Sequence, residues 1–161
     1  MKRKNTYKII LLILLPFIIG FLINSLVGLG ITRDNQLLLS ISTILLSIWT
    51  YGGAIIFWFM AGRIFANLNM NTVKSFAIGN SGWAISLLLF VWQFLFVNGR
   101  NRNLLIAGIS QHYALGFVGL GSRILGLFTN SIHSTTVILI AYFVMLIVFS
   151  IGFISKYQSK E

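Results

Sequence analysis

The segment from Leu104 to Phe128, LLIAGISQHYALGFVGLGSRILGLF, decides how the chain is interpreted. It is the only long apolar segment that also carries His, Gln and Arg side chains. As a helix rising about 1.5 Å per residue, it is long enough to cross the roughly 30 Å hydrocarbon core of a bilayer. Its Leu, Ile, Val and Phe residues favour insertion by about 5 kcal/mol, but Arg123, Gln111, His112 and the glycines offset most of this. Residues 104–128 are therefore predicted to lie at the outer face or re-enter the membrane, or to form a fifth span.

A stripe of small and polar residues follows from helical geometry in this segment. At about 100° per residue, Gly108, His112, Gly116, Gly119, Arg123 and Gly126 fall within an arc of roughly 80°, with Gln111 and Ser122 beside them. The opposite face is mainly apolar. We take five residues as the candidate polar stripe: Gln111, His112, Gly116, Gly119 and Arg123.

The composition around this segment excludes a water-soluble fold. The chain has 161 residues, of which 57% are hydrophobic and 9% charged, and its mean hydropathy is +0.91. Soluble domains are typically about 45 to 50% apolar and about 25% charged. Only a lipid-facing surface can be covered with so few polar residues. The predicted fold class is an all-α, polytopic integral membrane protein.

Four further apolar runs are predicted to be transmembrane helices within a single membrane domain, residues 1–161. The predicted spans cover residues 9–31, 37–60, 76–97 and 137–154. The first follows the basic head MKRKNTYK and is longer than the apolar part of a signal peptide, which has about 7 to 15 residues. It is therefore interpreted as a retained span. Residues 61–75 are predicted to be a loop with a frayed helical start.

Charge distribution points to a lipid partner. Twelve Lys and Arg residues stand against two acidic residues, giving a net charge of +10. Most of the basic residues lie at the ends of apolar runs, where each gains about 1 kcal/mol from anionic headgroups: Lys2, Arg3, Lys4, Lys8, Arg63, Lys74, Lys156 and Lys160. No solvated basic domain is present for nucleic acid. The positive-inside rule favours four spans in the cell membrane, with both termini cytoplasmic.

Three local predictions follow from polar residues near the ends of the spans. Gln93 is the strongly polar residue in the apolar part of its span, so it is expected to form a hydrogen bond to another helix. Asn98 to Asn103, NGRNRN, is predicted to be a turn whose arginines are solvated. A helix is predicted to start among Ser134, Thr135 and Thr136.

The inventory of reactive side chains is small. Asp34 lies in a short loop and Glu161 ends the chain, so carboxylate pairs for hydrolysis or proton relay are excluded. Cysteine is absent, and His112 and His133 lack the partners of a recognised metal or haem site. We therefore predict no catalytic residue, no cofactor and no metal, and interpret His133 as a solvated histidine.

Three functions are consistent with this inventory. The first is a non-enzymatic accessory, immunity or stress-type membrane protein that acts through helix–helix contacts, either as a homo-oligomer or with a larger membrane-protein partner. The second is an oligomeric small transporter or channel, for example for an anion, that uses the stripe of His112 and Arg123. The third is a membrane enzyme on a lipid substrate with His112 as its base.

Overall fold

The computed structural model describes residues 3–129, 131 and 133–158, with side chains from residue 7 onward. Lys2, Lys160 and Glu161 lie outside the described residues, as do Asn130 and Ile132 in the last connector. All regular elements in the described part are helical: α1 (Arg3–Thr32), α2 (Gln36–Ile48), a π-helical turn (Trp49–Gly53), α3 (Ala54–Ala66), α4 (Thr72–Gly79), α5 (Ser81–Val91), a second π-helical turn (Trp92–Phe96), a 3₁₀ turn (Gly99–Asn101), α6 (Leu104–Gly126) and α7 (Ser134–Gln158).

Four helical stretches in this part of the chain are long and apolar enough to cross a membrane. They are Tyr7–Thr32, Gln36–Ala66, Leu104–Gly126 and Ser134–Gln158. The third of them is the segment whose insertion the sequence left open. The predicted span 76–97 has a different form, because Thr72–Gly79 and Ser81–Phe96 are bent by 48° relative to each other. If these two helices cross the membrane together, they form a fifth, broken span.

The polar stretch 61–75 is more helical than predicted. α3 continues to Ala66 and α4 begins at Thr72, so only residues 67–71 form the connection. Asn71 caps α4, since its side-chain oxygen accepts a hydrogen bond from the Val73 amide at 2.9 Å. The Ser75 hydroxyl also donates to the Phe65 carbonyl, which ties the two helices together. Asparagine in this segment therefore caps a helix as well as forming the turn.

Close backbone contacts at glycine hold α3 against α7. A Cβ atom built on Gly62 would overlap the Phe149 carbonyl, and one built on Gly152 would overlap the Phe59 carbonyl. Neither helix could come this close with a larger residue at its crossing point. Small residues serve this purpose wherever two helices pack backbone to backbone.

α7 runs in the same direction as α3. Val148 shares a crevice with Ile55 and Ile56, and further along both helices the Phe153 amide lies beside Gly62. The Phe153 ring also packs on Phe76, with the ring centroids 5.3 Å apart. The last turns of α7 therefore lie at the end of the bundle where α3 passes into α4.

The start of α1 lies at that same end. Lys8, Ile9 and Leu12 share a crevice with residues at the end of α3 and in the following turn, Ile64, Asn67 and Leu68. The start of α1 and the last turns of α7 therefore lie at the same end of the bundle, beside the connection formed by residues 67–71. The turn at residues 33–35 lies at the opposite end of α1.

Aromatic rings fill the interior between these helices. Phe149 is fully buried, and its ring centroid lies 5.6 to 6.1 Å from those of Trp58, Phe65, Phe76 and Phe153. The rings of Trp58 and Phe76 meet Phe149 edge to face, and such pairs each add about 0.5 to 1.5 kcal/mol beyond the area that they bury. This cluster joins α3, α4 and α7.

α5 and α6 form a hairpin that Gln93 closes. Its side-chain oxygen accepts a hydrogen bond from the backbone amide of Asn103 at 2.8 Å, so the polar side chain bonds to the residue that caps α6 and not to another span. Asn103 in turn caps α6, and residues 99–101 form the predicted turn. Arg100 is exposed as predicted, whereas Arg102 is half-buried, with its guanidinium 4.2 Å from the Phe94 ring centroid and its Nε donating to the Gln93 carbonyl. The predicted start of α7 at Ser134 is confirmed.

Candidate functional site: the groove between α2 and α6

α6 is an interior helix, packed against α1, α5, α7 and the first π-helical turn. Its apolar face accounts for this position, since Tyr113, Ala114 and Phe117 are buried. The Tyr113 hydroxyl reaches across to α1 and donates to the Ile13 carbonyl at 3.1 Å, one turn before Pro16. The candidate polar stripe lies at the rim of this packed face, and its members have different surroundings.

His112 faces α1. Its Nδ1 accepts a hydrogen bond from the Asn24 side-chain amide at 2.6 Å, and its ring lies against Phe17 and Phe21. Because the amide nitrogen is the donor, the imidazole proton is on Nε2 in this arrangement. The ring nitrogen that a general base would use is therefore already occupied by Asn24. Gly20 brings the two helices together here, since a Cβ on it would overlap the His112 carbonyl.

Gly116 is also part of the internal packing. It is buried, and a Cβ atom there would overlap Ala54 and press on the Trp49 indole. Trp49 belongs to the first π-helical turn, and its Nε1 is buried without a hydrogen-bond partner. Gln111, by contrast, is exposed. The middle of the predicted stripe thus packs against α3 and the π-helical turn.

Gly119 and Arg123 border an open groove, which we call the α2–α6 groove. Its volume is about 470 Å³. One wall is formed by residues of the helical stretch Gln36–Ala66, and the other by residues of the second half of α6. The residues that line it are Leu46, Thr50, Tyr51, Ile55, Leu115, Val118, Gly119, Leu120, Ser122 and Arg123.

Arg123 is the charged residue of the α2–α6 groove. It is exposed and lies in the last turn of α6, with its guanidinium carbon 5.6 Å from the Tyr51 ring centroid. A cation over an aromatic face at this distance gains about 0.5 to 1 kcal/mol at an exposed site. The hydroxyls of Thr50 and Ser122 line the same groove, and Thr50 donates to the Leu46 carbonyl at 2.8 Å.

The structure divides the predicted stripe between two crevices. His112 lines one of about 340 Å³ with Phe17 and Phe21 of α1, whereas Arg123 lines the α2–α6 groove. The two crevices share no lining residue. Between them Ala114, Gly116 and Phe117 are packed against other helices. His112 and Arg123, about 16 Å apart along the helix axis, do not line one polar surface.

A buried polar junction of α5, α6 and α7 was not anticipated from the sequence. The Tyr142 hydroxyl donates to the Ser110 carbonyl at 2.8 Å and lies 2.6 Å from the Ser86 hydroxyl. The Trp83 indole donates to the Tyr142 carbonyl at 2.9 Å. The available signal was the isolated Tyr142 in an otherwise apolar run, since a buried hydroxyl requires a partner. Tyr142 takes part in each of these bonds, so the junction joins α5, α6 and α7.

Within the described residues, no three His, Cys, Asp or Glu side chains are grouped so that they could hold a metal ion. His133 is exposed at the start of α7, as expected for a solvated histidine. Comparisons of the chain with protein-family models, curated proteins and solved structures gave no match. The α2–α6 groove and the residues that line it are therefore the basis for a functional proposal.

Proposed function

We propose that the chain is a non-enzymatic multi-pass protein of the cell membrane, and that it acts by binding a transmembrane helix of a larger partner in the α2–α6 groove. The observation that carries this proposal is the environment of Gly119. A Cβ atom built on this residue meets no atom within 4 Å, although Gly119 lines the groove. Gly28, Gly52, Gly99 and Gly126 also have open space around them, but Gly119 is the one of these glycines that lines the groove.

Other glycines of the bundle provide the contrast. Gly20, Gly62, Gly116, Gly121 and Gly152 each lie where a Cβ would overlap a neighbouring helix. In membranes, small residues are used where helix backbones approach closely. A helix from outside the chain would give Gly119 the same role that these residues have inside it. Ser122 and Thr50, also small, line the groove on either side.

A transport pathway along the predicted stripe has less support. Such a route would require His112 and Arg123 to line a continuous polar surface, and they border separate crevices. A lipid enzyme with His112 as its base is weakened by the hydrogen bond that Nδ1 already accepts from Asn24. Helix binding requires neither arrangement.

The proposed orientation places both termini in the cytoplasm. Lys8, Arg63, Lys74 and Lys156 belong to the segments that meet at the end of the bundle formed by residues 67–71. Arg33 lies at the other end of α1. Cytoplasmic segments of membrane proteins carry the excess of Lys and Arg, and these side chains meet anionic headgroups at the inner surface. The α2–α6 groove then opens in the outer half of the membrane.

Photo-crosslinking in intact membranes tests the helix-binding proposal. Tyr51 at the groove is 73% exposed and Phe143 on α7 is 63% exposed, so each can be replaced by benzoylphenylalanine as a matched pair. We expect one defined protein adduct from position 51 and none from position 143. Gly119→Leu should abolish the adduct because it fills the groove, whereas Gly28→Leu should not, since Gly28 also has open space around it.

Two results would contradict the proposal. One is equal crosslinking from positions 51 and 143, and the other is an adduct that Gly119→Leu leaves unchanged. An adduct of twice the mass of the chain would identify a second copy as the occupant, which would replace the larger partner by a homo-oligomer.

A further inference from the structure

We infer that the helix bound in the α2–α6 groove presents a carboxylate side chain to Arg123. This inference rests on the proposed function, and it specifies the chemistry of the partner. The juxtaposition that supports it is an open glycine and an unpaired arginine one helical turn apart on the same wall of the groove, Gly119 and Arg123.

Arg123 has no carboxylate partner within the described chain. Its guanidinium lies over the ring of Tyr51. The sequence contains two acidic residues, of which Asp34 lies in the turn between α1 and α2 and Glu161 is the last residue, outside the described part. Among the described residues no carboxylate supplies a negative charge to Arg123, and we assign that charge to another molecule.

A helix that covers the groove would remove the Arg123 guanidinium from water and headgroups. An unpaired charge in such surroundings is strongly unfavourable, and intramembrane arginines accordingly pair with an opposite charge. A carboxylate can accept two parallel N–H···O bonds from the guanidinium, which gives both charge balance and a fixed geometry. The Ser122 hydroxyl lines the groove beside it and offers a further donor.

The position of Gly119 favours a helix over a lipid phosphate as the source of the negative charge. Residues four apart on a helix lie on one face, about 6 Å apart along the axis, so Gly119 and Arg123 face the same occupant. A phosphate would reach Arg123 from the headgroup region, and it would not require a glycine one turn deeper. A partner helix would contact the backbone at Gly119 and place its acidic residue one turn nearer the outer surface.

Substitution of Arg123 in the full-length protein tests the inference in the membranes used for photo-crosslinking from position 51. We expect Arg123→Gln to lower the yield of the partner adduct at least tenfold, as expected for a broken buried charge pair. Arg123→Lys keeps the charge but cannot form the two parallel hydrogen bonds, so it should keep more of the adduct than Arg123→Gln and less than the parent. The thermal midpoint of both variants in detergent should match that of the parent.

A zero-length crosslink identifies the carboxylate directly. Dicyclohexylcarbodiimide enters membranes and activates a carboxylate, and the amine of the Arg123→Lys variant then attacks it. An amide bond forms and dicyclohexylurea leaves. We expect a new amide-linked partner adduct from Arg123→Lys that is absent from the parent and from Arg123→Gln. A phosphate does not give this amide.

The outcomes separate the two proposals. If position 51 crosslinks to the partner but Arg123→Gln retains the adduct and Arg123→Lys gives no amide, the carboxylate inference is wrong and helix binding stands. If Arg123→Gln lowers the adduct and Arg123→Lys gives no amide, a lipid phosphate supplies the charge and the inference is again wrong. If position 51 gives no partner adduct, both proposals fail. Should Arg123→Gln not fold, the amide from Arg123→Lys decides alone.

Discussion

At the residue scale, glycine has two roles that depend entirely on its neighbours. Gly152 and Gly62 lie where α3 and α7 touch backbone to backbone, and each would overlap a carbonyl group of the opposite helix if it carried a Cβ. Gly28 on α1 and Gly119 on α6 lie in open space. Adding one methyl group should therefore have opposite consequences at the two kinds of position.

Gly152→Ala should lower the free energy of unfolding by about 1 to 3 kcal/mol, because the added methyl forces α3 and α7 apart. Gly28→Ala is the matched control and should cause no loss, since alanine is the better helix former by up to about 1 kcal/mol. Thermal unfolding in detergent, followed by tryptophan fluorescence, measures both. Equal midpoints for the two variants would contradict the packing described for α3 and α7.

The sequence alone could not separate these glycines. Gly116, Gly119 and Gly121 lie within one turn and a half of α6, and helical geometry places two of them in the predicted stripe. Their surroundings come from other helices. A Cβ atom on Gly121 would overlap the Val137 carbonyl and one on Gly116 would press on Trp49, whereas one on Gly119 would have no atom within 4 Å. Periodicity identifies a face of a helix, but only the packing of other elements decides which part of that face remains open.

At the element scale, the polar contacts of the interior bind helices to one another. Tyr142 on α7 connects to α5 through Ser86 and to α6 through the Ser110 carbonyl. Gln93 closes the hairpin of α5 and α6, where the sequence predicted a hydrogen bond but not that its donor is the backbone amide of Asn103. The Tyr142 junction was missed because its partners lie on α5 and α6, and the sequence does not show which residues of those helices face α7.

Tyr142→Phe should destabilise the protein by about 1 kcal/mol, since it removes the hydroxyl that joins α5 and α6 to α7. Tyr157→Phe is the control, because Tyr157 is 42% exposed near the end of α7. Unfolding free energies in mixed detergent micelles provide the measurement. The effects of Tyr142→Phe and Ser86→Ala should not add in a double-mutant cycle. Full additivity would show that Ser86 and Tyr142 do not interact.

At the scale of the whole molecule, the two ends of the described chain lie together although the helices between them differ from those predicted. The sequence placed both termini on one side by counting residues 76–97 as a span and leaving residues 104–128 outside. The structure makes Leu104–Gly126 one of the four long apolar helices and bends the pair at residues 72–96. The insertion free energy estimated from the sequence was near zero, so it could not decide whether this segment crosses the membrane. That quantity describes transfer into lipid, whereas the buried face of α6 packs against other helices.

Thiol labelling tests this arrangement, since the chain has no cysteine and each substitution adds a single site. Tyr7→Cys, Asn69→Cys and Tyr157→Cys should resist a membrane-impermeant maleimide in intact cells and react after permeabilisation. Asn35→Cys and Ser131→Cys should react in intact cells. This pattern follows from ends that meet beside residues 67–71 together with the proposed orientation, in which that end of the bundle is cytoplasmic. Labelling of Tyr157→Cys but not Tyr7→Cys in intact cells would show an odd number of membrane crossings.

The position of α7 has a consequence for biosynthesis. Phe149, Met145 and Tyr142 are fully or almost fully buried, and they supply contacts to α3, α4, α5 and α6. α7 follows in the chain all the helices that it contacts, so those helices are synthesised before their shared centre is available. Until α7 has been synthesised, their aromatic and glycine faces remain uncovered. Chains that stop before α7 should therefore be the first that cellular proteases remove, because α7 is the element that completes the packing of the bundle.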